Sequence, residues 1–361
     1  MKITKENKAW LDDFKLDHPL VIAGPCSAET EDQVLKIAHE LKNSDVSIFR
    51  AGIWKPRTRP GGFEGVGAIG LKWLQKAKAE TGLLMAVEVA NANHVQLALE
   101  HDIDVLWIGA RTTVNPFAVQ EIADSLKGVD IPVLLKNPIN PDLALWLGGM
   151  ERLQNAGLTK LGAIHRGFSS AGEKIYRNRP QWQIAIDFKT AMPDIPMIND
   201  PSHITGRRDM LQKVAQKAMD LNFDGLMIES HINPDAAWSD AAQQITPEVY
   251  GQLISDLVIR DNDPIDLKEK TRLDRLRKEI DMIDEEIMSI LASRMKIARE
   301  IGSYKKENNM TILQSERWKE VLSKFVARGT QNGLSEEFIT RVIKSIHDES
   351  IEQQEKVMTG E

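Results

Sequence analysis

Leu20-Val21-Ile22-Ala23-Gly24-Pro25-Cys26-Ser27 is the stretch that decides the fold. An apolar run of strand length breaks at a Gly-Pro turn and delivers the single cysteine of a 361-residue chain. The run shows no polar alternation, so it reads as a strand buried on both faces, the signature of a parallel sheet. Similar runs recur at 47–52, 84–89, 105–109, 133–137, 161–166, 197–201 and 225–231. Amphipathic stretches such as Glu31–Leu41, Gly67–Glu80 and Arg208–Leu221 lie between them. Apolar runs alternating with helices predict parallel βαβ units. Eight such units between residues 20 and 260 fit an α/β (β/α)8 TIM barrel, which takes ~250 residues. A doubly wound open sheet is the alternative. It is disfavoured because no Gly-x-Gly-x-x-Gly turn follows the first run.

Bulk properties narrow the function classes. The formal net charge of −7 argues against nucleic-acid binding, which needs a basic face. No run approaches the ~18 apolar residues of a membrane helix, so no membrane role is expected. Met1-Lys2-Ile3-Thr4-Lys5-Glu6 lacks a signal-peptide core. Together with the lone Cys26, this predicts a reducing, cytoplasmic location.

The composition changes near residue 260. Asp261-Asn262-Asp263-Pro264-Ile265-Asp266 reads as a polar linker. The organisation expected is therefore a barrel over 1–260, a linker over 261–271 and an all-helical domain over 272–361. From Leu273 a heptad-like pattern runs through Leu276, Ile280, Ile283, Ile287, Leu291, Ala298 and Ile301, predicting a helix ~50 Å long. Further helices are predicted from Ser315 to Arg328 and from Ser335 to Met358, with Ser335 as N-cap and Glu336 and Glu337 in the first turn. The first helix is too long to bury its stripe within so small a module, so it is expected to pack against a partner chain.

In a barrel the active site forms at the C-terminal ends of the strands. Those ends present Cys26, Arg50 with the following Lys55 and Arg57, Glu88, Arg111, Lys136, His165 with Arg166, Asp200 with His203, and Glu229 with His231; Asp240 follows on the last loop. Any one of these alone is ordinarily a buried apolar, capping or hydrogen-bonding residue. Together, Cys26, His203, Glu229 and Asp240 offer one soft, one borderline and two hard donors. That set suits Mn, Fe, Co, Zn or Cu better than Mg or Ca. Arg50, Lys55, Arg57, Arg111, Lys136 and Arg166 form a cationic group that calls for anions, and forked guanidiniums suit phosphate and carboxylate. The residues alone point to a metal-dependent enzyme acting on phosphorylated small molecules.

At these residues the chain resembles 3-deoxy-D-arabino-heptulosonate-7-phosphate (DAHP) synthases of the short microbial type, over about 20–260. The segments that carry the resemblance are AGPCS (23–27), FRAGIWKPRT (49–58), IGART (108–112), LLK (134–136), HRG (165–167), DPSH (200–203) and IESH with a later SD (228–231, 239–240). Lys55-Pro56-Arg57-Thr58 stands where the related 3-deoxy-octulosonate-8-phosphate synthases carry an Asn-rich segment. The resemblance implies condensation of phosphoenolpyruvate with erythrose 4-phosphate, aided by one divalent metal ion of the Mn, Fe, Co or Zn class. It assigns Cys26, His203, Glu229 and Asp240 to the metal and Arg50, Arg111, Lys136 and Arg166 to phosphoenolpyruvate. Lys55, Arg57 and Thr58 go to erythrose 4-phosphate, with Lys55 as proton donor and Glu88 positioning water. Asn137-Pro138 and Ser169-Ser170 depart from the family pattern. Pro138 holds Asn137 extended and calls into question a backbone contact to phosphate.

In the tail, Arg294 and Lys305 are eleven residues apart and share a helix face to within ~20°. Arg277 lies seventeen residues before Arg294, ~25 Å along the axis, so one ligand reaches both only if a partner chain brings its own Arg277. A solvated coiled-coil face is the alternative. The segments LRKEID, MIDEEI, SRM, GSYK, ERW and DESIEQQ resemble the all-helical chorismate mutases, over about 272–358. Those enzymes are intertwined dimers. The resemblance gives Arg294, Arg317 and a partner's Arg277 to the carboxylates of chorismate, Lys305 and Gln354 to its ether oxygen, and Ser350 to a neighbouring carboxylate. Family acidic positions fall at Gln314 and Trp318. The whole chain therefore reads as a bifunctional enzyme, homodimeric through the tail, with a tetramer as the alternative assembly. The competing reading makes the tail a dimerisation and feedback module that binds prephenate or chorismate.

Overall fold

The computed structural model describes residues 9–12, 14, 19–55, 62–260 and 267–360. The chain divides into two compact units, Met1–Asn262 and Asp263–Glu361.

The first unit is a closed barrel of eight parallel strands in sequence order. They are β1 (Leu20–Gly24), β2 (Ile48–Arg50), β3 (Leu84–Val89), β4 (Val105–Ile108), β5 (Val133–Lys136), β6 (Leu161–His165), β7 (Met197–Asn199) and β8 (Gly225–Glu229). Closure is made by β1 against β8, in register from Leu20↔Gly225 to Gly24↔Glu229. Successive side chains point to opposite faces. Leu20, Ile22, Ile48, Trp107, Leu134, Ile164 and Met227 fill the interior. Val21, Ala23, Phe49, Val87, Leu106 and Leu135 pack outward in the layer shared with the helices. Both faces are dry, which is why the strands read as uninterrupted apolar runs. Trp10, from the short helix Ala9–Asp12, packs on the interior cluster and donates its indole N–H to Leu161 O at 3.0 Å.

Two of the eight apolar runs, 20–24 and 84–89, end with their strands; the other six overshoot at the C-terminal end, because the chain leaves the ladder there to begin the functional loops. The clearest case is 197–201. The strand stops at Asn199, Asp200 caps a five-residue helix, and Pro201 takes its first position, where the missing N–H costs nothing. The predicted helix Glu31–Leu41 forms with those bounds, capped by Thr30, whose hydroxyl accepts from Gln33 N. The stretch predicted as Gly67–Glu80 is helical over Ile69–Thr81. The stretch from Arg208 opens with a 3-10 turn before the helix Leu211–Asp220.

The second unit is three helices: Leu267–Glu307, Ser315–Gln331 and Glu336–Thr359. The first starts inside the segment read as linker, so at 41 residues it is ~60 Å long. Ser335 caps the last helix as expected, its side chain accepting from Phe338 N. The first and last helices close at Gly302, where a Cβ would stand 3.0 Å from Gln354 Cα. The N-terminal half of the long helix keeps its apolar stripe in solvent: Ile280 is 58 % and Ile283 56 % exposed.

Gly24 has φ +147°, and a Cβ there would fall 2.1 Å from Arg50 O. We predict that Gly24→Ala destabilises the barrel by about 3 kcal/mol, read as the shift of its denaturant transition. A loss below ~0.5 kcal/mol would mean that β1 and β2 can separate freely at this point.

Candidate functional site

The barrel mouth collects the side chains that leave the strand ends. One donor atom each from Cys26, Glu229 and Asp240 lies within 4.8 Å of the others. Register accounts for the first two, since Gly24 pairs with Glu229 and Ser230 N donates to Gly24 O at 2.8 Å. Asp240 joins them from the following loop, in the left-handed region at φ 49°, with Oδ2 3.2 Å from Cys26 Sγ. His203 stands beside this trio. Its Nδ1 is 2.8 Å from Asp200 Oδ2 and its Nε2 is 3.7 Å from Glu229 Oε1. The Asp200 contact is a close charge approach rather than an aligned hydrogen bond, since Nδ1 has no hydrogen-bond partner among the described residues, and it leaves Nε2 facing the Glu229 carboxylate. Glu229 Oε1 is buried and makes no hydrogen bond among the described residues. A thiol, an imidazole and two carboxylates around an unsatisfied buried oxygen fit a divalent transition metal.

The cations surround this group. Arg50 Nη2 lies 3.4 Å from Glu229 Oε1, and its guanidinium sits 4.9 Å above the Trp107 ring. Its Nε and Nη1 are buried without hydrogen-bond partners among the described residues. Lys55 Nζ contacts Cys26 Sγ at 2.6 Å and Cys26 O at 3.2 Å. Lys136 Nζ pairs with Asp200 Oδ2 at 2.8 Å, both side chains being buried. Arg166 Nη1 donates to the neutral Asn178 Oδ1 at 2.7 Å. Arg111 is exposed on the short helix after β4, close enough to add to the positive field at Arg166. Glu88 accepts from Trp107 Nε1 at 3.0 Å. Arg57 and Thr58 lie outside the described residues.

Burial governs the protonation states. Desolvation, followed by the Glu229 carboxylate, pushes the Cys26 thiol up to about 12. For Lys55 burial works towards the amine, but the negative field of Cys26, Glu229 and Asp240 outweighs it and holds the ammonium above its ordinary value. Burial opposes ionisation of Asp200 too, yet His203 and Lys136 keep it well below the usual carboxylate range. Desolvation brings Arg166 down to about 10, with Arg177 and Arg111 adding to the effect. Two buried guanidiniums that lack a close carboxylate for every donor leave forked N–H groups of the kind that suit phosphate and carboxylate.

Several supporting residues carried no sequence signal. Arg177 and Asn178 sit in an irregular loop, Gln243 ends the 3-10 turn Ala241–Gln243 and Gln244 follows it, and all act through contacts between loops. Gln244 Oε1 accepts from Cys26 N at 2.9 Å. The Asn137 side chain ties two strand ends together: its oxygen accepts from Arg166 N at 2.7 Å and its amide donates to Gly167 O at 2.9 Å. The departure at Asn137-Pro138 therefore orients the Arg166 turn.

Residues 15–268 match the DAHP synthetase I family. The chain belongs to that family. Residues 276–355 match chorismate mutase type II, so the chain carries a DAHP synthase domain followed by a chorismate mutase domain. Its barrel is similar to the phospho-2-dehydro-3-deoxyheptonate aldolase of Thermotoga maritima, 32 % identical over 237 residues that cover 66 % of this chain and 68 % of the relative. The crystal structure of a Thermotoga maritima DAHP synthase superposes with a TM-score of 0.60 at 30 % identity, covering 66 % of this chain and 68 % of that one. The tail is similar to part of a bifunctional chorismate mutase/prephenate dehydratase of Buchnera aphidicola, 37 % identical over 82 residues, 23 % of this chain and 21 % of the relative. No described helix is long and apolar enough to cross a membrane.

Within the helical unit four of the six expected residues come together. Arg294 Nη1 donates to Ser350 Oγ, Lys305 Nζ donates to Gln354 Oε1 at 3.0 Å, and Gln354 Nε2 donates to Ser350 O at 3.0 Å. Lys305, Ser350 and Gln354 are buried. Arg277 is exposed beside Asp274 and Arg317 is exposed beside Glu320, so neither joins the cluster within this chain. Trp318 lies over His347, ring centroids 4.0 Å apart.

His165, under the mouth, is fully buried. Its Nε2–H donates to Pro180 O at 2.6 Å and its Nδ1 accepts from Asn199 Nδ2 at 3.1 Å, which fixes the neutral tautomer. Desolvation lowers its pKa to about 4. The unfolded chain therefore binds the extra proton first on acidification, and stability falls from about pH 6.5 down to about pH 4. We predict a loss of ~3 kcal/mol across that window, smaller in His165→Gln, measured by urea unfolding at stepped pH. An unchanged pH slope in the variant would remove His165 as the source.

Proposed function

We propose that the barrel condenses phosphoenolpyruvate with erythrose 4-phosphate to DAHP and phosphate, and that the helical unit rearranges chorismate to prephenate. The observation that carries the first reading is the gathering of Cys26, Glu229 and Asp240 beside the buried cations Arg50, Lys136 and Arg166. Arg50, Arg111, Lys136 and Arg166 hold the phosphate and carboxylate of phosphoenolpyruvate, which orients its enol carbon towards the aldehyde. Lys55, kept protonated by its neighbours, supplies a proton where charge develops on the aldehyde oxygen. A divalent metal held by Cys26, His203, Glu229 and Asp240 supplies Lewis acidity at that oxygen when bound. Glu88, fixed by Trp107, positions the water that adds to the carbon bearing the phosphate oxygen, from which phosphate then leaves. Arg57 and Thr58 complete the aldose phosphate subsite.

The second reaction is unimolecular and needs only a held conformer and donors at the ether oxygen. The Lys305–Gln354 contact supports those donors, and Arg294 with Ser350 supports a carboxylate subsite. Arg277 of the partner chain completes the site if the exposed apolar stripe of the long helix is the seam of a homodimer. Trp318, packed on His347 where the resemblance places an acidic residue, favours the second reading, a tail retained for dimerisation and for feedback by prephenate or chorismate.

Chelator-stripped full-length protein is expected to release no phosphate from the two sugar-pathway substrates and to recover when Mn, Fe, Co or Zn is added. Cys26→Ala is expected to lower that rate at least ~100-fold. Turnover that ignores the chelator would remove the metal from the mechanism. Gln354→Leu is expected to cut chorismate turnover ~100-fold while leaving phosphate release untouched. If the unmodified chain does not convert chorismate, the feedback reading replaces the mutase reading.

A further inference from the structure

The carboxylates of Glu229 and Asp240 each have an inward and an outward oxygen, and the outward ones share a support. Arg177 Nη1 lies 3.0 Å from Asp240 Oδ1 and donates to Gln243 Oε1 at 2.5 Å. Gln243, itself buried, donates from Nε2 to Glu229 Oε2 at 2.6 Å. One guanidinium nitrogen therefore reaches both carboxylates, the first directly and the second through an amide. What remains facing inward is Asp240 Oδ2, against Cys26 Sγ, and Glu229 Oε1, which has no hydrogen-bond partner among the described residues.

Arg177 is itself anchored to the element that carries His203. Its backbone N–H donates to Thr205 O at 3.3 Å, and that of Asn178 donates to Ile204 O at 3.1 Å. Asn178 Nδ2 donates to His203 O at 2.6 Å. The loop after β6 is thus stitched to the His203 helix by its backbone and to the β8 side of the mouth by the Arg177 side chain.

We propose that Arg177, acting with Gln243, is a positioning residue that turns the Glu229 and Asp240 carboxylates towards a common metal ion. This rests on the metal site proposed above. A guanidinium can serve two acceptors at fixed angles, whereas an ammonium on a shorter reach serves them less well. Outer supports of metal ligands typically carry 10–100-fold in affinity.

The test is cobalt(II) binding to chelator-stripped, full-length protein, followed by the thiolate-to-cobalt absorption band and by competition with a chromophoric chelator. Arg177→Met and Gln243→Leu are each expected to weaken cobalt binding ~10–100-fold while the thiolate band persists at saturation. The double variant is expected to lose less than the sum of the two single losses, because Arg177 holds Gln243 while each keeps its own carboxylate contact. Arg177→Lys is expected to recover part of the loss. Affinity within about twofold of the parent in folded Arg177→Met, or fully additive losses, overturns the proposal. If Arg177→Met does not fold, Arg177→Lys and Gln243→Leu decide it by the same criteria. A parent chain that takes up no cobalt overturns the metal site and this proposal together; a parent that binds beside an unaffected Arg177→Met overturns this proposal alone.

Discussion

The mouth depends on the pairing that closes the barrel. Gly24 sits opposite Glu229 in the β1–β8 ladder, and the next residue, Ser230, donates its N–H to Gly24 O. That register brings the first strand's exit beside the last strand's exit, so a cysteine near the start of the chain meets a carboxylate two hundred residues later. A slip by one position would turn Glu229 to the opposite face and leave Cys26 without it. The tight approach of Gly24 to Arg50 O belongs to the same constraint, because it sets how close the first two strands can come and so where the Arg50 guanidinium lies.

Around that seam the charges are arranged in pairs that do not quite cancel. Lys136 answers Asp200 and Arg50 approaches Glu229, while Lys55 has the neutral Cys26 thiol as its close contact. Arg166 has only an amide oxygen for its Nη1, and two of the Arg50 nitrogens have none among the described residues. Buried charges without full compensation destabilise a fold. The uncompensated donors at one end of the barrel are the feature on which the anion-binding reading rests.

The fold was legible because its strands are buried on both faces. Leu20–Gly24 and the other runs stood out without any alternation, and Thr30 and Ser335 announced helix starts by their capping chemistry. The ends of the strands were less legible: Asp200-Pro201 extends an apolar run in the sequence but caps a helix in the structure. Leu267–Thr271 is polar and carries no periodic signal, so the start of the long helix was read as linker. At the mouth, the residues on strand ends were readable one by one, since the architecture itself points them inward. Arg177 and Gln243 were not, because each is defined by what another loop brings to it. Arg277 and Arg317 were legible as members of a chorismate mutase set, yet within one chain they stay outside the Arg294–Lys305–Ser350–Gln354 cluster, because the axial distance along a rigid helix keeps Arg277 away.

The contact between Arg50 and Trp107 has an optical consequence. The Trp107 indole lies beneath the guanidinium, donates its N–H to Glu88, and is wholly screened from water. Its excited state is thus polarised by a fixed positive charge on one face and a carboxylate at its edge. An anion settling on Arg50 changes that local field without moving the ring. Trp107 is one of several tryptophans in the barrel, but the one whose ring lies against a guanidinium at the mouth, so an anion on Arg50 would act on this indole before any other.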